Sequence, residues 1–281
     1  MNRIANSWRL VQVSVEVLRA DKELILFPIV SMVGAIAVMA TFAVPMLLAG
    51  FFDSLASGRA DGLFSVVIGF LFYVVMYFIT IFSHAALIGA ATIRLRGSDP
   101  TVRDGFSIAL KHAANILGYA LIAATVGMVL RAISERGGIV GQIVSSILGF
   151  AWGVVTFLVV PVLVIEEIGP IEAVKRSGQL LKDTWGEQLV GNFGIGVVFG
   201  LLALGIIVLV GLPLIALAVA AESVLFLAMA IAVTVVLLVG AGLIGSTLNG
   251  IYQAAVYHYA VEGTTGGYFP ADLIQGAFRQ K

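Results

Sequence analysis

The sequence contains no cysteine, and only 11% of its residues are charged. The absence of cysteine excludes disulfide bonds, thiolate metal sites and cysteine nucleophiles, although it leaves the cellular compartment open. Roughly a quarter of the residues in a soluble domain are charged, so the scarcity of charge excludes an ordinary soluble fold. Basic and acidic residues both number 16. A chain without net charge gives no reason to expect nucleic acid as a partner.

Familiar catalytic patterns are also missing. The chain has no HExxH zinc motif, no Walker loop, no zinc-type ligand spacing and no Gly-x-Ser-x-Gly elbow. The stretch Gly240–Gly245 matches a dinucleotide-binding pattern, but no strand, βαβ unit or acidic partner accompanies it. We predict that this stretch, like Gly149–Gly153 and Gly196–Gly200, packs closely against another helix. The sequence therefore predicts no catalytic residue, no cofactor and no metal site, and a protein that is not an enzyme.

Apolar residues, by contrast, make up 60% of the chain. A membrane span needs about 20 mostly apolar residues to cross about 30 Å of hydrocarbon. Six stretches without acidic or basic residues meet this requirement: Leu24–Phe52, Gly62–Ile93, His112–Leu130, Gly137–Ile165, Gln188–Ala221 and Ser223–Val261. The last two are long enough to suggest a seventh span, with a break near Pro213. Polar residues at the end of the last stretch suit an interface better, so we predict six spans.

Lysine and arginine are unevenly distributed between the predicted loops. If both termini lie on one side of the membrane, that side holds all basic residues except three. The exceptions are Arg59, Arg131 and Arg136, and the majority are Arg3, Arg9, Arg19, Lys22, Arg94, Arg96, Arg103, Lys111, Lys175, Arg176, Lys182, Arg279 and Lys281. Short cytoplasmic loops carry an excess of lysine and arginine. We therefore predict a multi-pass protein of the cytoplasmic membrane with both termini cytoplasmic and no removable signal peptide.

A polar segment precedes each odd-numbered span and has the periodicity of an amphipathic helix. The predicted apolar faces are Ile4, Trp8, Val11, Val15 and Leu18; Val102, Phe106, Ala109 and Ala113; and Ile171, Val174, Gly178, Leu181 and Trp185. In the second segment Asp99 is the predicted cap and Pro100 the first helical residue. In the third, Pro170 begins the helix, with Glu172 in its first turn. Such helices suit the headgroup region, so we predict three cytoplasmic interfacial helices.

The three segments also end alike, because a leucine and a basic residue precede each following span. The pairs are Leu18-Arg19, Leu110-Lys111 and Leu181-Lys182. We therefore predict one membrane domain, 1–281, built from three helical hairpins, each with its interfacial helix, over about 1–97, 98–168 and 169–262. Residues 263–281, with Pro270 and Asp272, would be a truncated fourth interfacial segment. The alternative is chance similarity between short basic loops.

Two groups of side chains are candidates for binding. The first consists of cations that could contact anionic lipid: Arg94, Arg96, Lys111, Lys175, Arg176 and Lys182. Their simpler role is to fix topology and anchor the helices. The second is a polar pocket on the cytoplasmic side between spans two and six, formed by His84, Asn249, Gln253 and His258. The alternative role of these four is hydrogen bonding between helices and placement at the interface.

Two adjacent glutamates, Glu166 and Glu167, end the fourth span, and Pro161 precedes them. Paired carboxylates could bind a divalent cation or relay a proton. However, adjacent positions on a helix point about 100° apart. We therefore favour a simple end to the span, with one glutamate paired to Lys175 or Arg176 and a kink at Pro161.

The same stretch carries a resemblance to known proteins. The pattern of Pro161, Glu166, Gly169-Pro170, Glu172-Ala173 and Lys175-Arg176-Ser177 resembles a group of uncharacterised bacterial and archaeal six-span membrane proteins. That group is similar to the YciC-like proteins and to the membrane domain of some glycerophosphodiester phosphodiesterases. The resemblance implies a helical membrane fold and no catalytic residue, because the soluble phosphodiesterase domain is absent.

The sequence thus predicts an all-α polytopic transmembrane bundle of six spans. We expect a non-enzymatic integral membrane protein that organises or senses membrane lipid or partner proteins. Its expected partners are membrane lipids, other proteins or further copies of the chain, and no nucleic acid. The alternative is a transporter or channel for a small or lipidic substrate, and a lipid-processing enzyme comes third.

Overall fold

The computed structural model of the chain describes residues 3–48, 62–185, 194–263, 267–270 and 273–274. Within these ranges the regular elements are helices. They are α1 (Arg3–Ala20), a 3₁₀ turn (Lys22–Ile25), α2 (Leu26–Leu48), α3 (Gly62–Leu95), α4 (Val102–Lys111), α5 (Ala113–Arg136), α6 (Gly138–Val155), α7 (Val159–Ile165), α8 (Pro170–Trp185), α9 (Gly194–Ile206), a π segment (Ile207–Gly211), α10 (Leu212–Ala220) and α11 (Val224–Glu262).

Among the described residues, six helical stretches are long and apolar enough to cross a membrane, which confirms the predicted helical class and number of spans. They are Lys22–Val44, Val67–Leu95, Ala113–Arg136, Gly138–Ile165, Val198–Ala220 and Val224–Glu262. No seventh span is created at Pro213, because a π segment joins α9 to α10 and the backbone stays helical on both sides. A π segment re-pairs backbone groups beside a proline. The final span is one continuous helix, α11.

The buried core lies towards one end of the bundle, where the first residues of α2 and α5 meet the last residues of α3, α7 and α11. We call this the packed end. Its fully buried large side chains include Leu24, Phe27, Leu87, Ile116, Leu163 and Tyr257. Towards the other end, large apolar side chains are exposed, as lipid-facing side chains should be.

The distribution of exposed side chains on α11 separates these two regions. Apart from Val261, its exposed large apolar residues run from Val224 to Ile244, a rise of about 30 Å at 1.5 Å per residue. That length matches the hydrocarbon of a bilayer. Beyond Ile244, most side chains of the helix are buried in protein up to His258. The packed end therefore lies beyond the exposed apolar part of α11.

The helices α1, α4 and α8 pack against the packed end, and the residues that they bury in protein only partly coincide with the predicted apolar stripes; in α4 the stripe residue Ala109 is buried. In α1 the buried residues include Leu10, Ser14 and Val17, whereas Trp8 is exposed. In α8 they include Ala173, Ser177 and Leu180, whereas Ile171 is exposed. These buried residues each lie one position, about 100°, before a residue of the predicted stripe, although Val11 and Leu181 of the stripes are buried too. Small residues allow close approach to the spans, so the larger apolar residues border the contact. Ile4 and Trp185 have side chains outside the described set.

The start of α4 also differs from the prediction. Asp99 is not the cap and Pro100 is not helical, because α4 begins at Val102. Thr101 is the N-cap and forms a capping box with Asp104: its hydroxyl accepts from the Asp104 N–H, and the Asp104 carboxylate accepts from the Thr101 N–H. A Thr/Asp pair three residues apart satisfies two free N–H groups, and this outweighs the preference for proline at the first position.

The predicted close packing of the glycine stretches is found at Gly245, and a Cβ atom on Gly149 would make an ordinary contact, 3.7 Å from the Leu130 side chain. A Cβ atom on Gly245 would lie 2.9 Å from the ring of Phe199, so α11 and α9 approach closely there. At the other glycines of these stretches, no other described atom lies within 4 Å of such a Cβ, the glycine's own helical surroundings aside: Gly153, Gly196, Gly200, Gly240 and Gly242. Within the described part of this chain, the prediction is wrong for those five, because no neighbouring helix packs against them.

The C-terminal segment is described only at 267–270 and 273–274. Phe269, Leu273 and Ile274 are buried and belong to the core, and the Pro270 carbonyl accepts hydrogen bonds from the N–H groups of Leu273 and Ile274. The rest of the predicted fourth interfacial segment, including Asp272, lies outside the described residues.

Candidate functional site: the packed end of the bundle

Charged residues at the packed end form ion pairs that join separate helices. Arg94 of α3 contacts both Asp21, at 3.4 Å, and Asp99. Arg96 lies 3.0 Å from Glu262 of α11. Lys111, at the end of α4, pairs with Glu167, and Arg176 of α8 lies 3.1 Å from Glu166. Four of the six predicted lipid contacts (Arg94, Arg96, Lys111 and Arg176) are therefore paired with carboxylates of the same chain, whereas Lys175 and Lys182 are exposed.

Asp21 is the most buried of these carboxylates and joins α1 to α3. It caps the 3₁₀ turn by accepting a hydrogen bond from the Glu23 N–H at 3.2 Å. Burial raises the pKa of the Asp21 carboxyl group, and the nearby Arg94 guanidinium opposes this shift. A signal for this role is present in the sequence, because aspartate is favoured immediately before a helical turn.

The two adjacent glutamates point to different partners. Glu166 accepts hydrogen bonds from Arg176 Nε at 3.2 and 3.1 Å and from the Tyr257 hydroxyl at 3.2 Å, which ties α8 and α11 together. Glu167 has a positive φ of 56° and turns towards Lys111. Lys111 lowers the pKa of the Glu167 carboxyl group by hydrogen bonding and by its charge. The predicted pairing to Arg176 is confirmed, and the glutamates do not converge on one ligand.

The connection between α7 and α8, which begins with the two glutamates and which we call the corner, is held in place by contacts with α5. The Asn115 side-chain amide donates to the Ile168 carbonyl at 3.2 Å. Gly118 faces Pro170, and a Cβ at that glycine would lie 2.9 Å from the proline ring. Any larger residue at Gly118 would displace the start of α8. The corner is therefore set by α5 as well as by its own sequence.

The fourth span is interrupted at Thr156–Leu158, and Ser177 fills the interruption. The Ser177 hydroxyl donates to the Val155 carbonyl at 2.6 Å and accepts from the Leu158 N–H at 3.0 Å. Pro161 is the third residue of α7, where a missing N–H costs nothing because the first turn of a helix has no internal partners. The predicted kink is therefore a break four residues before the proline. Sequence reasoning missed this role of Ser177, although the residue belongs to the pattern that carries the resemblance.

The predicted polar pocket is only partly assembled. His84 of α3 and Gln253 of α11 meet, with His84 Nε2 3.0 Å from Gln253 Oε1. His258 lies further along α11, where its Nδ1 is 3.3 Å from Glu262, and Asn249 is half-buried. A Cβ on Gly250 would lie 2.4 Å from Leu87 and 3.3 Å from His84, so the helices pack tightly beside the His84–Gln253 pair. A ligand role for the four residues stays a prediction.

His112, between α4 and α5, is another buried titratable group that the sequence did not single out. Burial lowers the pKa of its imidazole, while the Glu167 carboxylate opposes that shift. In the described part of the chain, no group of three or more histidine, aspartate or glutamate side chains is arranged to hold a metal ion.

Comparison with known proteins gives a family without an assigned activity. The model of a family of unknown function (DUF6159) matches residues 63–268, from the beginning of α3 to just beyond α11. No curated protein matches the chain. Similarity to YciC-like proteins or to the phosphodiesterase membrane domain is not part of this match and stays a prediction. Because the match covers most of the sequence, the chain belongs to the DUF6159 family of unknown function.

Proposed function

We propose that this chain is a non-enzymatic membrane protein that organises or senses lipid through α1, α4 and α8, with the packed end in the headgroup region. The membrane would be the cytoplasmic membrane, with the packed end and both termini on the cytoplasmic side. Lipids would be its principal partners, and contacts with other proteins or further copies of the chain would be secondary.

The observation that carries the proposal is an exposed large apolar side chain on each of the three helices. Trp8, Leu110 and Ile171 are 53%, 64% and 56% exposed, although the opposite faces of their helices are buried in the bundle. Exposed cations lie on the same helices, at Arg9, Arg103 and Lys175 among others. An apolar side chain beside a cation suits the boundary between acyl chains and headgroups.

The internal repeat is part of the proposal, because it would place equivalent helices at equivalent depths. Relative to the leucine of each leucine-basic pair, the residues eight, four and one positions earlier are buried in both α1 and α8. Four positions earlier, both helices have a buried serine, Ser14 and Ser177. Ten positions earlier, both have an exposed apolar residue, Trp8 and Ile171. The agreement at four positions supports common ancestry of the first and third units.

Anionic lipid would be bound chiefly by α8. Ile171, Lys175 and Lys182 follow one another at spacings of four and seven residues, so they share one exposed face. A lysine near an anionic surface contributes about 1 kcal/mol. The Glu172 carboxylate bends back towards Gly169 and away from this line, since its oxygen lies 2.6 Å from the position of a Gly169 Cβ. Electrostatic attraction would therefore add to apolar anchoring.

The transporter alternative has less support. A route between spans two and six would have to pass the tight contact of Gly250 with Leu87 and the hydrogen bond between His84 and Gln253. Loss of a transport phenotype in His84→Ala, with normal membrane insertion, would favour it. A relationship to the YciC-like proteins or to the phosphodiesterase membrane domain would fit either function.

The proposed function can be tested by lipid ordering. The triple variant W8S/L110S/I171S removes the exposed apolar side chains at the packed end. The control I139S/V140S/L225S removes exposed apolar side chains far from it. Spin-labelled lipids in proteoliposomes report the number of motionally restricted lipids near the headgroups. We expect the first variant to lower that number and the control to leave it unchanged. Equal effects of the two would refute the proposal.

A further inference from the structure

The hydroxyl group of Ser177 stands in for two helical hydrogen bonds of the fourth span. In a continuous helix, the Val155 carbonyl would accept from the Val159 N–H, and the Leu158 N–H would donate one turn back. In the structure, the Val159 N–H donates to the Thr156 carbonyl at 3.1 Å instead. The Phe157 N–H likewise donates to the Val154 carbonyl at 3.1 Å, which in a continuous helix would accept from the Leu158 N–H. Ser177 bonds to the two groups that these changes release, the Val155 carbonyl and the Leu158 N–H. The interrupted helix of the structure, which we call the bent arrangement, thus uses a side chain of α8, whereas an uninterrupted helix, the straight arrangement, would not.

Pro161 sets the balance between these two arrangements. In a straight helix its ring would press on the preceding turn, and the Phe157 carbonyl would have no N–H four residues later to accept from. In the bent arrangement the same proline lies in the first turn of α7, where it is tolerated. Pro161 therefore disfavours the straight span, whereas Ser177 favours the bent one. Together they make the bend conditional on the position of α8.

The two faces of α8 connect this bend to the membrane surface. Ser177 is fully buried, and Lys175 is 200° from it around the helix, on the exposed face that also carries Ile171 and Lys182. We propose that Ser177 is a latch: while α8 lies in the headgroup region the fourth span is held bent, and when α8 leaves the core the span straightens. This rests on the proposed function, because it takes α8 to be a lipid-contacting helix. The proposal adds to that function a way in which a change at the membrane surface alters the conformation of the fourth span.

The first test is hydrogen exchange at the Leu158 amide, measured on the full-length protein in nanodiscs. Ser177→Ala should speed this exchange at least tenfold, because the amide loses its partner. The control is Ser146→Ala. This residue lies in the fourth span itself, and its hydroxyl donates to the Gln142 carbonyl. This control should leave the Leu158 amide unchanged. An unchanged rate in Ser177→Ala would overturn the latch.

The second test uses Pro161→Ala, which keeps the Ser177 hydroxyl. The substitution removes the proline ring and restores the N–H, so the straight arrangement is no longer disfavoured. Because the chain has no cysteine, two can be introduced at the exposed positions Ile147 and Gln179 and spin-labelled. We expect a second population in the distance distribution, at least tenfold larger than in the protein with Pro161. An unaltered distribution would contradict a conditional bend, even if Ser177→Ala does not fold.

Coupling to the membrane is tested by a double-mutant cycle with Ile171→Ser, which weakens the contact of α8 with lipid. The substitution should speed exchange at Leu158 in the otherwise unchanged protein and add nothing when Ser177 is already alanine. Equal effects in the two backgrounds would overturn the coupling. The proposed function is refuted separately if a spin label at residue 171 is found in water. That outcome does not depend on the exchange rate measured with Ser177→Ala.

Discussion

Gly105 provides the strictest test of how α4 packs on the spans. A Cβ atom at this position would lie 2.5 Å from the Phe27 ring and 2.7 Å from the carbonyl oxygen of Ala86. The ring can rotate away, but the carbonyl belongs to the backbone of α3. Overpacking of this kind costs about 1–3 kcal/mol, against a gain of up to about 1 kcal/mol from replacing a helical glycine with alanine. We therefore expect Gly105→Ala to destabilise the protein by about 1–2 kcal/mol.

The matched control is Gly153→Ala. This glycine also lies within a helix, but a Cβ there would meet no other described atom within 4 Å. The same substitution should be neutral or stabilise by up to about 1 kcal/mol. Both free energies of unfolding can be measured by titrating the purified proteins from mild detergent into denaturing detergent. If Gly105→Ala is as stable as Gly153→Ala, α4 does not contact α3 as described.

Three further predictions concern the charged groups of the packed end. K175Q/K182Q should weaken the preference for anionic over zwitterionic lipid by about thirtyfold, at about 1 kcal/mol for each of the two lysines. R136Q, at the other end of the bundle, should leave this preference unchanged. The two variants are compared by analysing the lipid that stays bound to each purified protein. Glu166→Gln should cost about 1 kcal/mol of stability in low salt and less in 1 M salt, because its partner is partly exposed and screened. His112 should make stability fall as the pH drops below about 6.5, the pKa of an unfolded histidine, because burial lowers its folded pKa. His112→Asn should flatten this dependence in unfolding measured from pH 7 to 5; an unaltered slope would contradict the assignment.

The number and position of the spans could be predicted from the sequence because each depends on a local property. Twenty apolar residues in succession form a span whatever surrounds them, so all six ranges are close to those of the structure. Helices also occupy the three segments predicted to be amphipathic. Which of their residues are buried in protein could not be predicted, because a hydrophobic stripe does not reveal whether its larger side chains face protein or lipid. In α1 and α8, small residues such as Ser14 and Ser177 lie against the protein.

The candidate site was harder to predict, because its contacts join residues far apart in the chain. The pairing of Glu166 with Arg176 could be anticipated across one short loop, but the contact of Glu166 with Tyr257 could not. The role of Pro161 became clear only beside Ser177, which lies on another helix. A serine within an amphipathic segment gives no sequence signal that it completes the backbone of a neighbouring span.

The most direct test of the proposed function is the depth of α8 in the membrane. A spin label at Ile171 and another at Glu172 lie about 100° apart on the same helix. Collision with oxygen reports lipid, and collision with a water-soluble nickel complex reports water. We predict that the label at residue 171 is accessible to oxygen and the label at residue 172 to nickel, in vesicles of either charge. If both labels collide equally with nickel, α8 lies in water and the proposed lipid contact is wrong.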